Sequence, residues 1–242
     1  MGRAIVAGGA AATKPLSGIM AATLAVGSSV YLMEDGSAVE YLVVNQGIPS
    51  ASSLYDASCD GLWLLRKDIY ENRAWSTGSN LYASASIHTY LNDTFINLFD
   101  TETKSAITQI KIPYVINSAD EVLSGSNGLS TKIFLLSGYE VGFTTDVNVY
   151  FPVDGAKLDY FESGDTSDGN NRSLRIAYMN GTTTGWWTRS PGTNYTDYAW
   201  RVLRSGSCNC YGCSNSYGIR PALILPSTAL FDKDTLILKG VA

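Results

Sequence analysis

Two short segments constrain this chain more than any others: Gly185-Trp186-Trp187-Thr188-Arg189-Ser190-Pro191 and, nearer the C-terminus, Gly218-Ile219-Arg220-Pro221-Ala222-Leu223. Adjacent tryptophans in an extended strand point to opposite faces, so one indole fills a core while the other packs under a loop. Arg189 and Arg220 add planar forks of donors suited to clamping carbonyls or carboxylates. A large aromatic pair flanked by such clamps reads as scaffold, because it buries more area than a solvent-facing site could spare. Ile219 to Leu225 then reads as a buried closing strand interrupted by Pro221.

Around that scaffold the composition supports one loop-rich, soluble α+β domain. Hydrophobic residues make up 45% of the 242-residue chain and charged residues only 16%, which supplies a core and gives no sign of disorder. The net charge of −5, with no run of lysine or arginine, lacks the footprint that grips a polyphosphate backbone, so no nucleic-acid partner is expected. The stretch Ala4 to Ala12 matches a secretory h-region only loosely. Leu16 to Val26 falls short of the about 20 apolar residues that span a bilayer, so no membrane insertion is expected. Residues 1–22 are small, Gly- and Ala-rich and without a period, which predicts an arm or linker ahead of a single domain at 23–242.

Local patterns place the elements. Val30 to Met33 and Val39 to Val44 flank Glu34-Asp35-Gly36-Ser37, and an Asp-Gly pair between two β-rich runs predicts a hairpin. Ile87, Leu91 and Phe95 recur at helical spacing within Ser84 to Phe99, predicting an amphipathic helix. Asp100 or Thr101 can cap a second, shorter helix running to about Ile107, before Pro113 ends regular structure. Further strands are expected at Ile133 to Leu136, Tyr150 to Val153, Trp186-Trp187 and Ala199 to Leu203. Loops are expected at Glu162 to Ser173 and Ser205 to Tyr217.

Familiar catalytic signatures are missing, and the chain is expected not to be an enzyme. Nucleophile-elbow, phosphate-loop and EF-hand motifs do not occur. Cys208, Cys210 and Cys213 are close in sequence, but C-x-C-x-x-C is not the paired spacing of a zinc site and no histidine is near, so no metal or cofactor is expected. A single bridge from Cys59 to this cluster stays open, because connectivity cannot be deduced from sequence. The only histidine, His88, sits one residue off the apolar stripe and reads as a partly exposed helix residue. Glu34 with Asp35, or Asp165 with Asp168, could flank a glycosidic bond, but carboxylates in loops are more often solvated.

Between the two scaffold segments lie Thr193 to Tyr198 and Arg204 to Gly212, built almost only from Asn, Tyr, Ser, Gly, Thr, Asp, Cys and Arg. Tyrosine offers rigid contact area with few rotatable bonds, and the short polar residues add adaptable hydrogen bonds, a mixture typical of recognition loops. The same residue types are reachable from asparagine codons when adenines are replaced.

The scaffold segments, the helix around Ile87 to Phe99 and the opening Ala25-Val26-Gly27-Ser28-Ser29-Val30 together resemble an uncharacterised domain family of phage and bacterial surface proteins, over roughly residues 24 to 227. That family looks like the C-type-lectin-like fold, similar in shape to formylglycine-generating enzymes and to the variable proteins of diversity-generating retroelements. The resemblance implies paired terminal strands, two helices beside the sheet and long loops forming a binding face. It maps the diversified stretch onto Thr193 to Tyr198 and Trp200 to Tyr211, although Trp200 is not reachable from an asparagine codon and marks a fixed position or another template codon. The E-P-N, Q-P-D and W-N-D motifs of calcium-dependent lectins are absent, as is the catalytic cysteine pair of the formylglycine-generating enzymes. A shared fold would not supply their chemistry.

The expected function is therefore a phage receptor-binding or adhesin module, in a tail fibre or related virion appendage, recognising a host-surface protein or glycan. The expected ligand-binding residues are Asn194, Tyr195, Asp197, Tyr198, Trp200, Arg204, Asn209 and Tyr211. The arm would contact other virion proteins and support a homo-oligomer, with a trimer as the first guess from the habit of fibre proteins. The alternative is a structural decoration or fibre-tip subunit without receptor binding.

Overall fold

The computed structural model describes residues 17–50, 52–116, 121–143, 152–162 and 172–242. Its first hairpin follows directly from the Asp-Gly pair. Ser29–Glu34 and Ser37–Gln46 run antiparallel with Glu34 opposite Ser37, which leaves a two-residue turn. Asp35 (φ 46°) and Gly36 (φ 76°) both take the left-handed conformation that this turn demands. Leu62–Arg66 and Ala222–Leu225 extend the hairpin into a four-stranded antiparallel sheet with the two newcomers inside and at the edge.

This sheet is covered on both faces, which explains why its inner strands read as continuous apolar runs rather than alternating ones. Side chains divide between two cores by the two-residue period of the strand. Leu62, Leu64, Leu223 and Leu225 enter one core with Ile87 and Leu91, while Trp63, Leu65, Ala222 and Ile224 enter the other. Pro221 stands just before the Ala222–Leu225 strand rather than inside it.

A second, five-stranded sheet holds the tryptophan pair. Its order is Cys208–Gly212, Tyr198–Val202, Trp186–Pro191, Ser216–Gly218 and Asn72–Ala74, with one parallel contact between Trp186 and Gly218. Trp186 and Trp187 do point to opposite sides, and each fills a different core with no exposed surface. The Trp186 indole N–H donates to the Arg175 carbonyl and that of Trp187 to the Arg73 carbonyl, both at 3.0 Å. Between the pairs Trp187–Arg201 and Pro191–Ala199, three residues on one strand face a single residue on the other, a bulge that re-aims Arg189.

Several expectations need correction. Ser205 to Tyr217 is not one loop, since Cys208–Gly212 pairs along its length with Tyr198–Val202 and Ser216–Gly218 pairs with Asn72–Ala74. The helix predicted over Ser84 to Phe99 is broken. α1 spans Ser86–Asp93, and after Thr94 (φ −113°, ψ −60°) the chain tightens into a 3-10 turn at Phe95–Leu98. α2 spans Thr101–Ala106 and is capped as expected, with the Asp100 carboxylate accepting from the Thr103 N–H at 2.8 Å. Ile133 to Leu136 is buried and extended but forms a single bridge, Phe134 to Ala222. Its other amides bond elsewhere: Ile133 N–H donates to the Asn92 side chain and Leu135 N–H to the Tyr82 hydroxyl.

The arm boundary also moves. Ile19–Met20 pairs with Ala229–Phe231, which pairs in turn with Leu238–Val241, so the two ends of the described chain share one sheet. Ala21 is fully buried, and Gln46 donates to the Ala21 and Leu24 carbonyls at 2.9 and 2.7 Å. Gly18 lies so close to the Phe231 carbonyl that no Cβ fits there. Small residues here serve close backbone packing rather than looseness, and residues 17–22 belong to the domain. The rest of the predicted arm lies outside the described residues, as do Tyr150 and Phe151 of one predicted strand and residues 163–171 of one predicted loop. Pro152 and Val153 form no strand, and Glu162 and Ser173 fall in the short helical turns Asp159–Glu162 and Arg172–Arg175. The described chain is thus α+β, dominated by sheets with a few short helices. Among the described residues no helix is long and apolar enough to cross a membrane.

Candidate functional site

The C-terminal sheet rests on a buried polar network that begins at Arg189. Its guanidinium meets Glu140 through both terminal nitrogens, at 2.5 and 2.7 Å, and neither side chain is exposed. It also donates to the carbonyls of Pro113, Leu135 and Asp154. Tyr55 and the Ser137 N–H donate to Glu140, while Ser190 donates to Asp154 and accepts from the Gly138 N–H. Every arm of the fork is used, which is the condition for a buried ion pair to hold a structure rather than weaken it. Burial pushes the Asp154 carboxyl up to about 6, against the pull of Arg189 and of the Ser190 hydroxyl.

On this base the segment Gly192–Tyr198 is tied down from beneath. Asn80, almost fully buried, donates its amide to the carbonyls of Gly192, Tyr195 and Tyr198 at 3.0, 2.6 and 2.9 Å. Its own backbone N–H donates to the Thr196 carbonyl. Gly192 is required there, because a Cβ would meet the Cys210 sulfur at 2.5 Å. Asn194 takes the left-handed conformation (φ 63°) that asparagine tolerates, turning the loop outward. The tyrosine rings at its end lie 5.0 Å apart, with Tyr195 46% and Tyr198 37% exposed.

Of the eight residues predicted to bind, Asn194, Tyr195, Asp197, Tyr198, Arg204, Asn209 and Tyr211 reach solvent. Trp200 does not, and this corrects the expectation. At 2% exposure it packs into the core beside Trp186 and Val202, because its strand neighbours point the other way. The seven exposed residues do not form one patch either. Trp200 and Cys210 are partners on the buried side of the sheet, whereas Arg201 with Asn209 and Ala199 with Tyr211 are partners on the opposite side. Tyr195 and Tyr198 stand at one end of the hairpin, and Arg204 stands in the turn at its other end.

That opposite side contains the residue that sequence reading did not single out. Arg201 lies over two rings, its guanidinium carbon 3.7 Å from the Tyr217 centroid and 4.5 Å from that of Tyr211. Tyr217 in turn meets Tyr211 and Trp187 edge-on. No described carboxylate pairs with Arg201, and its buried Nε has no hydrogen-bond partner. It opens into a groove of about 650 Å³. Leu203 and Tyr217 contribute apolar surface, Thr183, Thr184, Ser205 and Ser216 contribute hydroxyls, Asn72 an amide and Arg204 a second positive charge. Among the described residues no acidic side chain lines it, in a chain whose net charge is −5. The available signal was the strand period: once Trp200 is read as buried, Arg201 must face away with Asn209 and Tyr211.

The reactive groups weighed from sequence sit elsewhere. No disulfide joins the four cysteines, and desolvation pushes Cys59, Cys210 and Cys213 up to about 12, so these three remain protonated near neutrality. The bridge from Cys59 is therefore not formed, and among the described residues no three metal-binding side chains gather. His88 is partly buried, its ring 5.0 Å from Tyr82 and its Nε2 3.2 Å from the Thr131 hydroxyl, and burial lowers its basicity. Glu34 is buried rather than solvated, accepting from Tyr41 and Arg66, so it cannot pair with Asp35 across a substrate. Asp165 and Asp168 lie outside the described residues.

No curated protein and no solved structure matches the chain. The profile of a family described as Domain of unknown function (DUF6273) matches residues 60–227, from the edge of the Leu62–Arg66 strand to just past Ala222–Leu225. That span takes in the five-stranded sheet, the Arg189 network apart from Tyr55, the tyrosine loop and the Arg201 groove, and covers well over half of the sequence: the chain belongs to the DUF6273 domain family.

Proposed function

We propose that this domain binds rather than transforms its ligand, and that it is a receptor-binding or adhesin module of a phage appendage, recognising a host-surface protein or glycan. One observation carries the reading: a loop of exposed Asn, Asp and Tyr side chains is fixed from below by a buried amide, over a saturated ion-pair network. Such a loop is already ordered, so binding costs it little conformational entropy. The C-type-lectin-like architecture implied by the sequence resemblance fits the same picture. The adjoining end-to-end sheet agrees with paired termini, and the short helices flank sheets. The virion setting rests on the resemblance alone, and so does a homo-oligomer assembled through residues 1–16.

The test is capture of host cell envelopes by immobilised full-length protein, compared with the variant Tyr195→Ala/Tyr198→Ala. Both rings are exposed, so the variant should melt within a few degrees of the parent while capture falls by about tenfold or more. Equal capture by the two proteins, or none by the parent, would remove the receptor-binding reading and leave a structural subunit of the particle. Light scattering of the full-length chain and of a chain lacking residues 1–16 tests the oligomer, with equal masses excluding that segment from assembly.

A further inference from the structure

We infer that the groove beside Arg201 is a subsite for a carboxylate-bearing sugar, with Arg201 as its anchoring residue; this rests on the reading of the domain as a recognition module and names the chemistry of one of its ligands.

The argument begins with how Arg201 is held. Cation–π contacts with Tyr217 and Tyr211, whose rings stand at 85° to each other, hold the guanidinium while its N–H edge stays available to an acceptor in the groove. Among the described residues no carboxylate occupies that edge. The ring contacts also restrict its rotamers, so a ligand meets a donor fork whose orientation is already set. Its Nε is buried without a partner, so an anion in the groove would dock on the terminal nitrogens rather than at Nε.

The lining selects the ligand further. Two arginines and, among the described residues, no acid make the groove attractive to a negative charge despite the net charge of the chain. The remaining polar groups are short hydroxyls and an amide, which match a ligand dense in hydroxyls. Leu203, Tyr217 and the carbon parts of the other lining side chains make much of the groove's surface apolar, and the C–H face of a sugar ring can rest there. A volume of about 650 Å³ is in the range of sites that take small ligands, large enough for a short oligosaccharide. A planar carboxylate on a sugar ring could dock bidentately on Arg201 while ring hydroxyls meet Thr184, Ser205 and Ser216.

The experiment is calorimetric or NMR titration of the full-length protein with trigalacturonate, with galactotriose and with tri-aspartate, run beside the envelope-capture assay. Trigalacturonate should bind about tenfold or more tightly than either comparator, the gap a charge-assisted bidentate contact supplies. Arg201→Gln should abolish that preference while the melting temperature stays close to that of the parent. Arg201→Lys should recover only part of it, because a point charge lacks the planar fork. Equal binding of galactotriose would remove the carboxylate from the assignment, and equal or tighter binding of tri-aspartate would reassign the groove to acidic peptides. No sugar binding with Tyr195- and Tyr198-dependent capture intact would overturn the groove assignment alone. Trigalacturonate binding without envelope capture would uphold the groove and overturn the receptor-binding reading.

Discussion

Arg189 and Arg201 sit on adjacent strands of one sheet and have opposite surroundings. Arg189 is fully buried, pairs with Glu140 through both terminal nitrogens and donates to three carbonyls. Arg201 is half-buried, stacks on two tyrosines and has no described carboxylate partner. The strand period decides the difference only in part. The bulge between Trp187 and Pro191 turns Arg189 into the core, where a bare charge would be prohibitive and Glu140 must be supplied. Regular pairing leaves Arg201 on the open face, where an unpaired charge is tolerable and can serve a ligand. A saturated arginine builds the framework; an unsaturated one beside a groove is available for recognition.

The sharpest way to break this contrast is Arg189→Met. It leaves Glu140 buried with its charge and strips donors from the carbonyls of Pro113, Leu135 and Asp154. Removing one partner of a buried pair costs about 3–5 kcal/mol, which urea denaturation would register as a lower midpoint with an unchanged slope. The double variant Arg189→Met/Glu140→Leu should recover part of that loss, since no charge is then stranded. A single variant losing less than about 1 kcal/mol would mean the network is not what holds the sheet.

Asp154 gives the same network a pH signature. Its carboxyl titrates at about 6 in the folded protein, above its ordinary value of 3.8. The folded state therefore holds the proton more tightly, and the contribution is fully present below about pH 4 and lost as pH rises through 6. A shift of this size corresponds to a loss on the order of 3 kcal/mol across that window. Asp154→Asn keeps an acceptor for the Ser190 hydroxyl but does not titrate. Its stability relative to the parent should thus rise between pH 4 and 6, and parallel pH profiles of the two proteins would refute the assignment.

Asn80 links framework to display. Asn80→Ala leaves three buried or partly buried carbonyls without their shared donor, for an expected cost of about 2 kcal/mol. Hydrogen exchange should rise in residues 192–198 more than in the sheet beneath them. Uniform exchange across both would show that the loop is not held by this amide.

These distinctions were unevenly legible in the amino-acid order. The first hairpin and the Asp100 cap were readable because each depends on neighbours in sequence: two left-handed residues in one case, a carboxylate three residues before its N–H in the other. The opposed tryptophans were readable from strand geometry alone. Cys208–Gly212 was not, since it contains no β-branched residue and is a strand only because Tyr198–Val202 lies beside it. The same gap misplaced Trp200 and hid Arg201, whose faces are fixed by a register that only pairing reveals. Glu140 and Arg189 are 49 residues apart, and nothing local marks either as the other's partner. What was read correctly was local, and what was missed was set by contacts between distant segments.

The smallest expected effect on stability, and the most discriminating one, belongs to Arg201→Gln. Two ring contacts contribute about 0.5–1 kcal/mol each at a partly exposed position. The unpartnered Nε works against them by about 1–3 kcal/mol. The terms nearly cancel, so the variant should unfold within about 1 kcal/mol of the parent and could be the more stable of the two. Thermal and urea unfolding, set beside Arg189→Met, make the comparison direct. A loss as large as that at Arg189 would place Arg201 in the framework, with its stacking as its purpose and no need of an anion. A near-zero change would show that the fold gains nothing from the guanidinium, so that its purpose must be sought in the groove rather than in the framework.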